Sequence, residues 1–119
     1  MNNQIYNEKN EQLGSMDKDG WVFDKMLKRI GKMDDDGKAY TEKYAQLGYI
    51  DIDGRVYDDW LAHIGQIDSD GKVYDEKRTQ LGSIDSDGRV YDAEFQCIGK
   101  VDGNLQKEWI AAFFFFFFN

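Results

Sequence analysis

Apolar positions along the chain recur in a unit of 17 residues. The unit reads Leu/Ile-Gly-x-Ile/Met-Asp-x-Asp-Gly-x-Val-Tyr-Asp, and five variable residues follow it. One glycine series occupies positions 14, 31, 48, 65, 82 and 99, and a second occupies 20, 37, 54, 71 and 88. The units follow one another without insertion or deletion. Such strict spacing is typical of repeats that contact their neighbours in one fixed geometry.

Each unit contains the signals of a β-hairpin. The sequence Asp-Ser-Asp-Gly at 85–88 fits a type I turn followed by a left-handed glycine. We predict a strand before it at 81–85 and a strand after it at 89–93, with the variable link leading to the next unit. With a first strand at 4–8 and a last at 98–102, the chain contains twelve short strands.

The ends of the repeat array favour a closed ring. Five Asp-x-Asp-Gly turns join the strand pairs, and a sixth, which would join the last strand to the first, is absent. An open solenoid usually carries polar capping repeats, whereas closure removes the sheet edges that invite aggregation. We therefore predict an all-β fold with a closed up-and-down arrangement of six β-hairpin repeats, in preference to an open stack.

The distribution of apolar residues and glycines adds two expectations about packing. Neighbouring residues of a strand point to opposite faces, so Val90 and Tyr91 face opposite ways. This predicts hairpins that are wedged between neighbours on both sides. The glycine beside each Leu or Ile predicts a close approach of backbones near the symmetry axis.

The repeat stops after Asp102, which divides the chain into a hairpin domain at 1–103 and a tail at 104–119. We expect Gly103 and Asn104 to end the last strand and cap a single apolar helix over 105–118. This helix plugs one mouth of the ring, packs against tails of other subunits, or enters a membrane interface; a tract without any role is a further interpretation. The predicted assembly residues are Phe113, Phe114, Phe115, Phe116, Phe117 and Phe118.

A family resemblance rests on the alternation of Ile-Tyr-Asn or Val-Tyr-Asp with Leu/Ile-Gly-x-Ile over residues 4–102. In these motifs the chain resembles the bacterial four-fold β-flower proteins. The resemblance implies hairpins arranged as petals around an axis, and it implies no activity and no functional residue. This chain departs from the pattern in having six petals instead of four.

Composition excludes several classes of function. The 119 residues include 15 Lys and Arg but 23 Asp and Glu, giving a net charge of −8 that disfavours nucleic-acid binding. One cysteine and one histidine exclude an internal disulfide and a histidine-rich metal site. The start has no signal-peptide pattern, and the longest apolar run, 109–118, is shorter than the roughly 20 residues of a membrane span. We therefore expect a cytoplasmic protein.

The acidic residues are predicted to serve the turns. The paired aspartates before each second-series glycine lack the third carboxylate and the later glutamate of an EF-hand, so we predict no metal and no cofactor. A third series, at Asp24, Asp58, Asp75 and Asp92, is replaced elsewhere by Asn7 and Thr41. Backbone capping tolerates that exchange, whereas a catalytic acid does not. His63 and Cys97 occupy one repeat position two units apart and do not suggest a nucleophile pair.

The variable links are where function is expected to reside. If each link is taken as the tip of one petal and the petals are numbered from the N-terminus, petals two, three, four and six carry apolar tips. Petals one and five carry polar tips. These residues either pack down on the adjacent petal or the tail, or form a patch for a partner, as aromatic anchors commonly do. The candidate binding residues are Met26, Leu27, Tyr44, Trp60, Leu61 and Phe95, together with Trp21, which stands where other units have Lys or Arg.

We therefore expect a non-enzymatic binding or assembly module that acts through protein–protein contacts and self-association. Its partner is a protein or a second copy of the chain, with no nucleic acid, and membrane contact would involve the tail alone. A lectin-like module with a sugar stacked on Trp21 or Trp60 is the alternative. An enzyme is disfavoured because every candidate acid recurs in equivalent surroundings.

Overall fold

A closed ring of antiparallel strands forms the body of the molecule. The computed structural model describes residues 3–118; residues 1, 2 and 119, at the outer ends of the two predicted domain ranges, lie outside them. Within the described residues the twelve strands are β1 (Asn3–Asn7), β2 (Gln12–Met16), β3 (Trp21–Asp24), β4 (Arg29–Met33), β5 (Lys38–Thr41), β6 (Gln46–Ile50), β7 (Arg55–Asp58), β8 (His63–Ile67), β9 (Lys72–Asp75), β10 (Gln80–Ile84), β11 (Arg89–Asp92) and β12 (Cys97–Asp102).

Each strand pairs with its neighbours in the chain, and β1 pairs with β12 to close the barrel. The predicted all-β ring of six hairpins is therefore confirmed. The molecule is a disc of 35 × 33 × 19 Å. Because the strands alternate in direction, the Asp-x-Asp-Gly turns all lie at one end, which we call the turn face. The six links all lie at the other end, the link face. The tips of the six links are numbered in chain order as petals 1 to 6. They are residues 8–11, 25–28, 42–45, 59–62, 76–79 and 93–96.

A β-bulge in every repeat decides which side chains enter the barrel. Ile5 pairs with Gly14 and Tyr6 pairs with Gln12, so Leu13 is left as the extra residue. The same register shift recurs in the other five repeats. The buried apolar side chains of the strands are Ile5, Met16, Val22, Met33, Ala39, Ile50, Val56, Ile67, Val73, Ile84, Val90 and Val101.

The expectation of hairpins wedged between neighbours on both sides is wrong. The strands form a single sheet whose inner face carries the valines and the Ile or Met residues. The tyrosines of the strands lie on the outer wall and are only half-buried. Five of the six bulged residues, Ile30, Leu47, Ile64, Leu81 and Ile98, also contact the core, because the bulge removes them from the strict alternation of faces, whereas Leu13 is exposed.

The tail enters the barrel from the turn face. Helix α1 (Lys107–Ala111) is followed by a π-helix, Ala112–Phe116. Lys107 Nζ donates a hydrogen bond to the Ser69 carbonyl, 2.8 Å away, in one of the turns. From Trp109 to Phe113 the chain is buried. Among the described residues, no helix is long and apolar enough to cross a membrane.

The predicted helix differs from the observed one in its start and its pitch. It begins at Lys107 instead of 105, and its N-cap residue, Gln106, makes no side-chain capping bond. The expected cap at Asn104 is wrong, because the Asn104 N–H donates to Asn3 Oδ1 at 3.1 Å and so ties the tail to β1. The Phe117 N–H donates to the Ala112 carbonyl at 2.8 Å, an i→i+5 bond that widens the helix where the phenylalanines begin.

Candidate functional site

The six phenylalanines of the tail match the six repeats one to one. Each ring lies against the first-series glycine of a different repeat, and successive rings meet successive repeats around the barrel. The contacts are Phe113 with Gly14, Phe114 with Gly99, Phe115 with Gly82, Phe116 with Gly65, Phe117 with Gly48 and Phe118 with Gly31. We call this arrangement the phenylalanine rosette.

The rosette explains why these positions are glycine. A Cβ placed on Gly65 would lie 2.6 Å from Phe116 Cζ and 2.7 Å from the Tyr74 carbonyl oxygen, both far inside van der Waals contact. The predicted close approach of backbones is found between paired strands, at the Tyr74 carbonyl, whereas near the axis the glycines meet phenylalanine side chains and not backbone. The tail lies within the barrel of its own chain, and its predicted role in assembly stays a prediction.

The rosette is covered on one side only. Phe113 is 7% exposed, whereas the other five rings remain half-buried. Since α1 closes the turn face, the exposed edges of these rings point toward the link face. The link face therefore has a partly apolar floor inside its rim.

The turns at the two faces share one hydrogen-bonding design. On the turn face, Asp51 Oδ1 accepts the N–H groups of Asp53 and Arg55, each at 2.9 Å. On the link face, Asp58 Oδ1 accepts those of Trp60 and Ala62, again at 2.9 Å. The predicted structural role of both aspartate series is thereby confirmed. Asn7 and Thr41 make the equivalent bonds, which explains why Asp, Asn and Thr interchange there.

The two faces differ at the fourth residue of this turn, which has a positive φ in every copy. On the turn face this residue is always glycine, with φ between 84° and 92°. On the link face it is never glycine, although φ lies between 64° and 67°. The left-handed residues of the link face are Asn10, Leu27, Tyr44, Leu61, Arg78 and Phe95.

A left-handed conformation costs an ordinary L-residue about 1–2 kcal/mol, and among these six only asparagine tolerates it well. This strain was not anticipated from the sequence, although a signal was present. Asp58 precedes Leu61 by three positions, just as Asp51 precedes Gly54. Aligning the two kinds of turn on their capping aspartates would have placed Leu61 in the left-handed position.

The candidate binding residues of the links are exposed. Met26, Leu27 and Tyr44 are 78%, 68% and 58% exposed. The corresponding values for Trp60, Leu61 and Phe95 are 85%, 66% and 70%. The alternative in which these side chains pack down on a neighbouring petal or on the tail therefore applies in part to Tyr44, whose ring meets Trp21, and not to the other five. Their role in binding stays a prediction.

Trp21 lies on the outer wall, in a cluster that reaches the link face. The Arg29 guanidinium carbon lies 3.8 Å from the ring centroid of Trp21, and Lys32 Nζ lies 4.8 Å from it. The edge of the ring meets Tyr44, with 5.6 Å between centroids. Trp21 thus extends the apolar surface of petal 3 down the wall, but its ring is occupied by cations.

Tyr40 completes this cluster, 6.1 Å from Tyr44 between ring centroids. Its hydroxyl donates to Asp34 Oδ2 at 3.4 Å. Desolvation, reinforced by the negative charge of Asp34, raises the pKa of Tyr40 above its ordinary value. The phenol therefore stays neutral throughout the physiological range of pH.

Charge is distributed unequally between the two faces. The five turn segments 17–19, 34–36, 51–53, 68–70 and 85–87 contain eleven aspartates and one lysine. The six petal tips contain six basic and six acidic residues and are neutral as a set. Among the described residues, no group of three or more potential ligands is arranged to hold a metal ion. The helix-covered turn face is therefore the more acidic one, even with Lys107 and the basic residues that follow its glycines, whereas the link face combines neutral, partly apolar tips with four capping aspartates.

A closed ring of short hairpin repeats around an axis defines a petal-like repeat protein of the all-β class. The chain belongs to the 5-fold beta-flower protein family, whose model matches residues 2–118. The resemblance to β-flower proteins is thus confirmed, but the family that matches is described as five-fold and not four-fold. No curated protein and no solved structure matches the chain.

Proposed function

We propose that this protein is a non-enzymatic binding module that acts through protein contacts and self-association at the link face. The observation that carries the proposal is the set of strained, exposed side chains at the petal tips. Four of the six left-handed residues are large and apolar: Leu27, Tyr44, Leu61 and Phe95.

The turn face shows which residue this turn takes when exposure of a side chain is not required. The same turn, with the same hydrogen bonds, uses glycine at all five copies on the turn face. Glycine would relieve the strain on the link face as well, so stability alone favours it there. Residues that reduce stability and expose apolar surface are typical of binding sites, where function opposes stability.

The acidic residues support a function without catalysis. The capping oxygens of Asp51 and Asp58 are engaged by backbone N–H groups, and their counterparts in other repeats have the same surroundings. Paired catalytic acids need environments that separate their pKa values. Repetition instead gives equivalent acids equivalent environments.

One observation favours the lectin-like alternative. Trp60 is 85% exposed, and a free indole face is suited to stacking on a sugar ring. Trp21 is less suited, because Arg29 and Lys32 already lie over its ring. A glycan array probed with the native chain and with Trp60→Ala separates the two functions. A sugar signal that is lost in Trp60→Ala would favour the lectin.

Replacing a strained apolar tip by glycine is expected to stabilise the fold and to weaken association. Leu61→Gly and Phe95→Gly should each raise the free energy of unfolding by about 0.5–1 kcal/mol, because glycine adopts a positive φ without strain. The same variants should lower the weight-average mass at high protein concentration, because they remove exposed apolar anchors. Urea denaturation and sedimentation velocity measure the two effects.

Asn10→Gly is the matched control. Asn10 occupies the same turn position, with φ of 64°, but it is polar and already tolerates this conformation. It should change neither stability nor mass appreciably. Unchanged stability in both apolar-tip variants would remove the argument from strain, and unchanged association would remove the link face as the contact surface.

A further inference from the structure

We propose that a second copy of the chain docks on the link face, forming a two-fold, face-to-face dimer whose axis lies in the interface and passes over petals 3 and 6. This inference rests on the proposed function, since it takes the link face as the contact surface. It adds the identity of the partner and the pairing of the petals.

The charges of the disc favour its own copy at this face over the other. Two turn faces would bring eleven aspartates against eleven, and Lys18, Lys107 and the basic residues after the turn glycines, Lys38, Arg55, Lys72 and Arg89, offset only part of this charge. Two link faces bring together neutral sets of tips, with four capping aspartates at the base of each set. The disc is 35 × 33 Å across, so a face covers about 900 Å², close to the roughly 800 Å² that each partner contributes to a standard protein interface.

The pattern of tips determines the position of the axis. A two-fold axis that lies in the interface turns one copy over onto the other. Each petal of one copy then faces the petal that lies opposite it across the axis in the second copy. An axis over petals 3 and 6 pairs petal 2 with petal 4 and petal 1 with petal 5. Apolar tips then face apolar tips, and the two polar tips face each other. The other five axes through or between petals each set a polar tip against an apolar one.

Any two polar tips in a ring of six allow at least one axis of this kind. The tip charges provide a second argument, which is independent of the apolar pattern. Petal 2 carries Lys25 and Lys28, and petal 4, which faces it, carries Asp59. Petal 5 carries Lys77 and Arg78 beside Glu76 and the capping Asp75, so it is neutral where it faces petal 1, whose net charge is negative. Petals 2 and 4 are therefore the pair that is electrostatically complementary.

The apolar contacts of this dimer follow from the same pairing. Met26 and Leu27 of one copy face Trp60 and Leu61 of the other, twice because of the symmetry. Tyr44 and Phe95 each lie near the axis and face their own counterparts. The half-buried edges of the rosette, at the floor of the link face, would be covered as well.

Exchanging charges between petals 2 and 4 tests the pairing. Lys25→Asp alone places an aspartate against Asp59 at two symmetric contacts, and Asp59→Lys alone places lysine against Lys25. Each single variant should weaken dimerisation about tenfold at low ionic strength, less so at high salt. The chain with both substitutions has the native composition and net charge and should regain native affinity. Sedimentation equilibrium measures the dissociation constants.

Two further variants complete the design. Lys18→Asp makes the same charge change on the turn face, and it should leave the dissociation constant unchanged. Glu94→Gln removes the one acidic residue of petal 6, which faces its own copy across the axis. It should strengthen the dimer about two- to threefold, within the range expected for an exposed charge pair.

The outcomes separate this inference from the proposed function. Restoration in the double variant supports the dimer, and failure of restoration overturns the pairing. Association that Leu61→Gly abolishes but the charge variants do not affect would keep the link face as the contact surface and overturn the two-fold arrangement. A native chain that stays monomeric at near-millimolar concentration overturns the dimer. Binding of that monomer to phosphatidylcholine vesicles would assign the face to a membrane surface instead.

Discussion

A chain that ends at Asn104 is expected to lose cooperative folding. The shortened chain lacks Trp109, Ile110 and Phe113, which are buried, and the five half-buried rings of the rosette. Full burial of a large apolar side chain contributes about 1.5–3 kcal/mol, so the first three alone supply about 5–9 kcal/mol. That is comparable with the whole stability of many small domains. Urea denaturation followed by near-ultraviolet circular dichroism measures the loss.

The control for this experiment keeps the tail and changes its last ring. Phe118→Leu retains an apolar side chain at the end of the rosette and should remain folded, with a cost of about 1–2 kcal/mol. A chain ending at Asn104 that unfolds cooperatively with native-like stability would show that the barrel does not need the tail. The phenylalanines would then be free for the assembly role suggested by the sequence.

Gly65→Ala is expected to be among the most damaging single substitutions. The added Cβ would lie 2.6 Å from Phe116 Cζ and 2.7 Å from the Tyr74 carbonyl oxygen. The backbone contact allows little relaxation, and overpacking of this kind costs about 1–3 kcal/mol. A matching decrease in the free energy of unfolding, measured by urea denaturation, is the expected result.

A double-mutant cycle tests the one-to-one match of rings and glycines. Phe116→Leu makes room beside residue 65, so Gly65→Ala should cost about 1 kcal/mol less in that background. Phe114→Leu is the control, because Phe114 lies against Gly99 and does not contact Gly65. In its background the cost of Gly65→Ala should be unchanged. Equal coupling to both rings would contradict the match.

Much of the fold was predictable because each repeat contains the residues that form its own turn. Asp51 and Gly54 define a turn by their hydrogen bonding and φ, and their recurrence every 17 residues counts the hairpins. The closure of the ring was predicted from the five turns that join six strand pairs, because the sixth junction, between the last strand and the first, has no turn. The bulge at Leu13 was not predictable, because an apolar residue beside a glycine fits a regular strand equally well. Pairing with the neighbouring strand decides the register.

The contacts of the tail with the barrel could not be predicted from the sequence. Six phenylalanines and six first-series glycines can be counted there. Their contact arises only when the ring closes around an axis that the tail then occupies. The start of α1 is likewise set by a tertiary contact, from Asn104 to Asn3, 101 residues away in the chain.

The candidate binding residues were found by their departure from the repeat. Trp60 and Leu61 stand out because an exactly repeated scaffold does not require them, and the structure leaves both exposed. Trp21 stood out for the same reason, but its ring lies under Arg29 and Lys32. Such cross-strand neighbours depend on register, which the sequence specifies only weakly.

Hydrogen–deuterium exchange at micromolar and at near-millimolar protein concentration tests the central claim, that the link face is the contact surface. We expect slower amide exchange at high concentration in the petal tips, above all in 59–62 and 93–96, with unchanged exchange in the turn segments. The Leu61→Gly variant should show no such difference. Protection confined to the acidic turns, or exchange that is independent of concentration throughout the chain, would contradict the account.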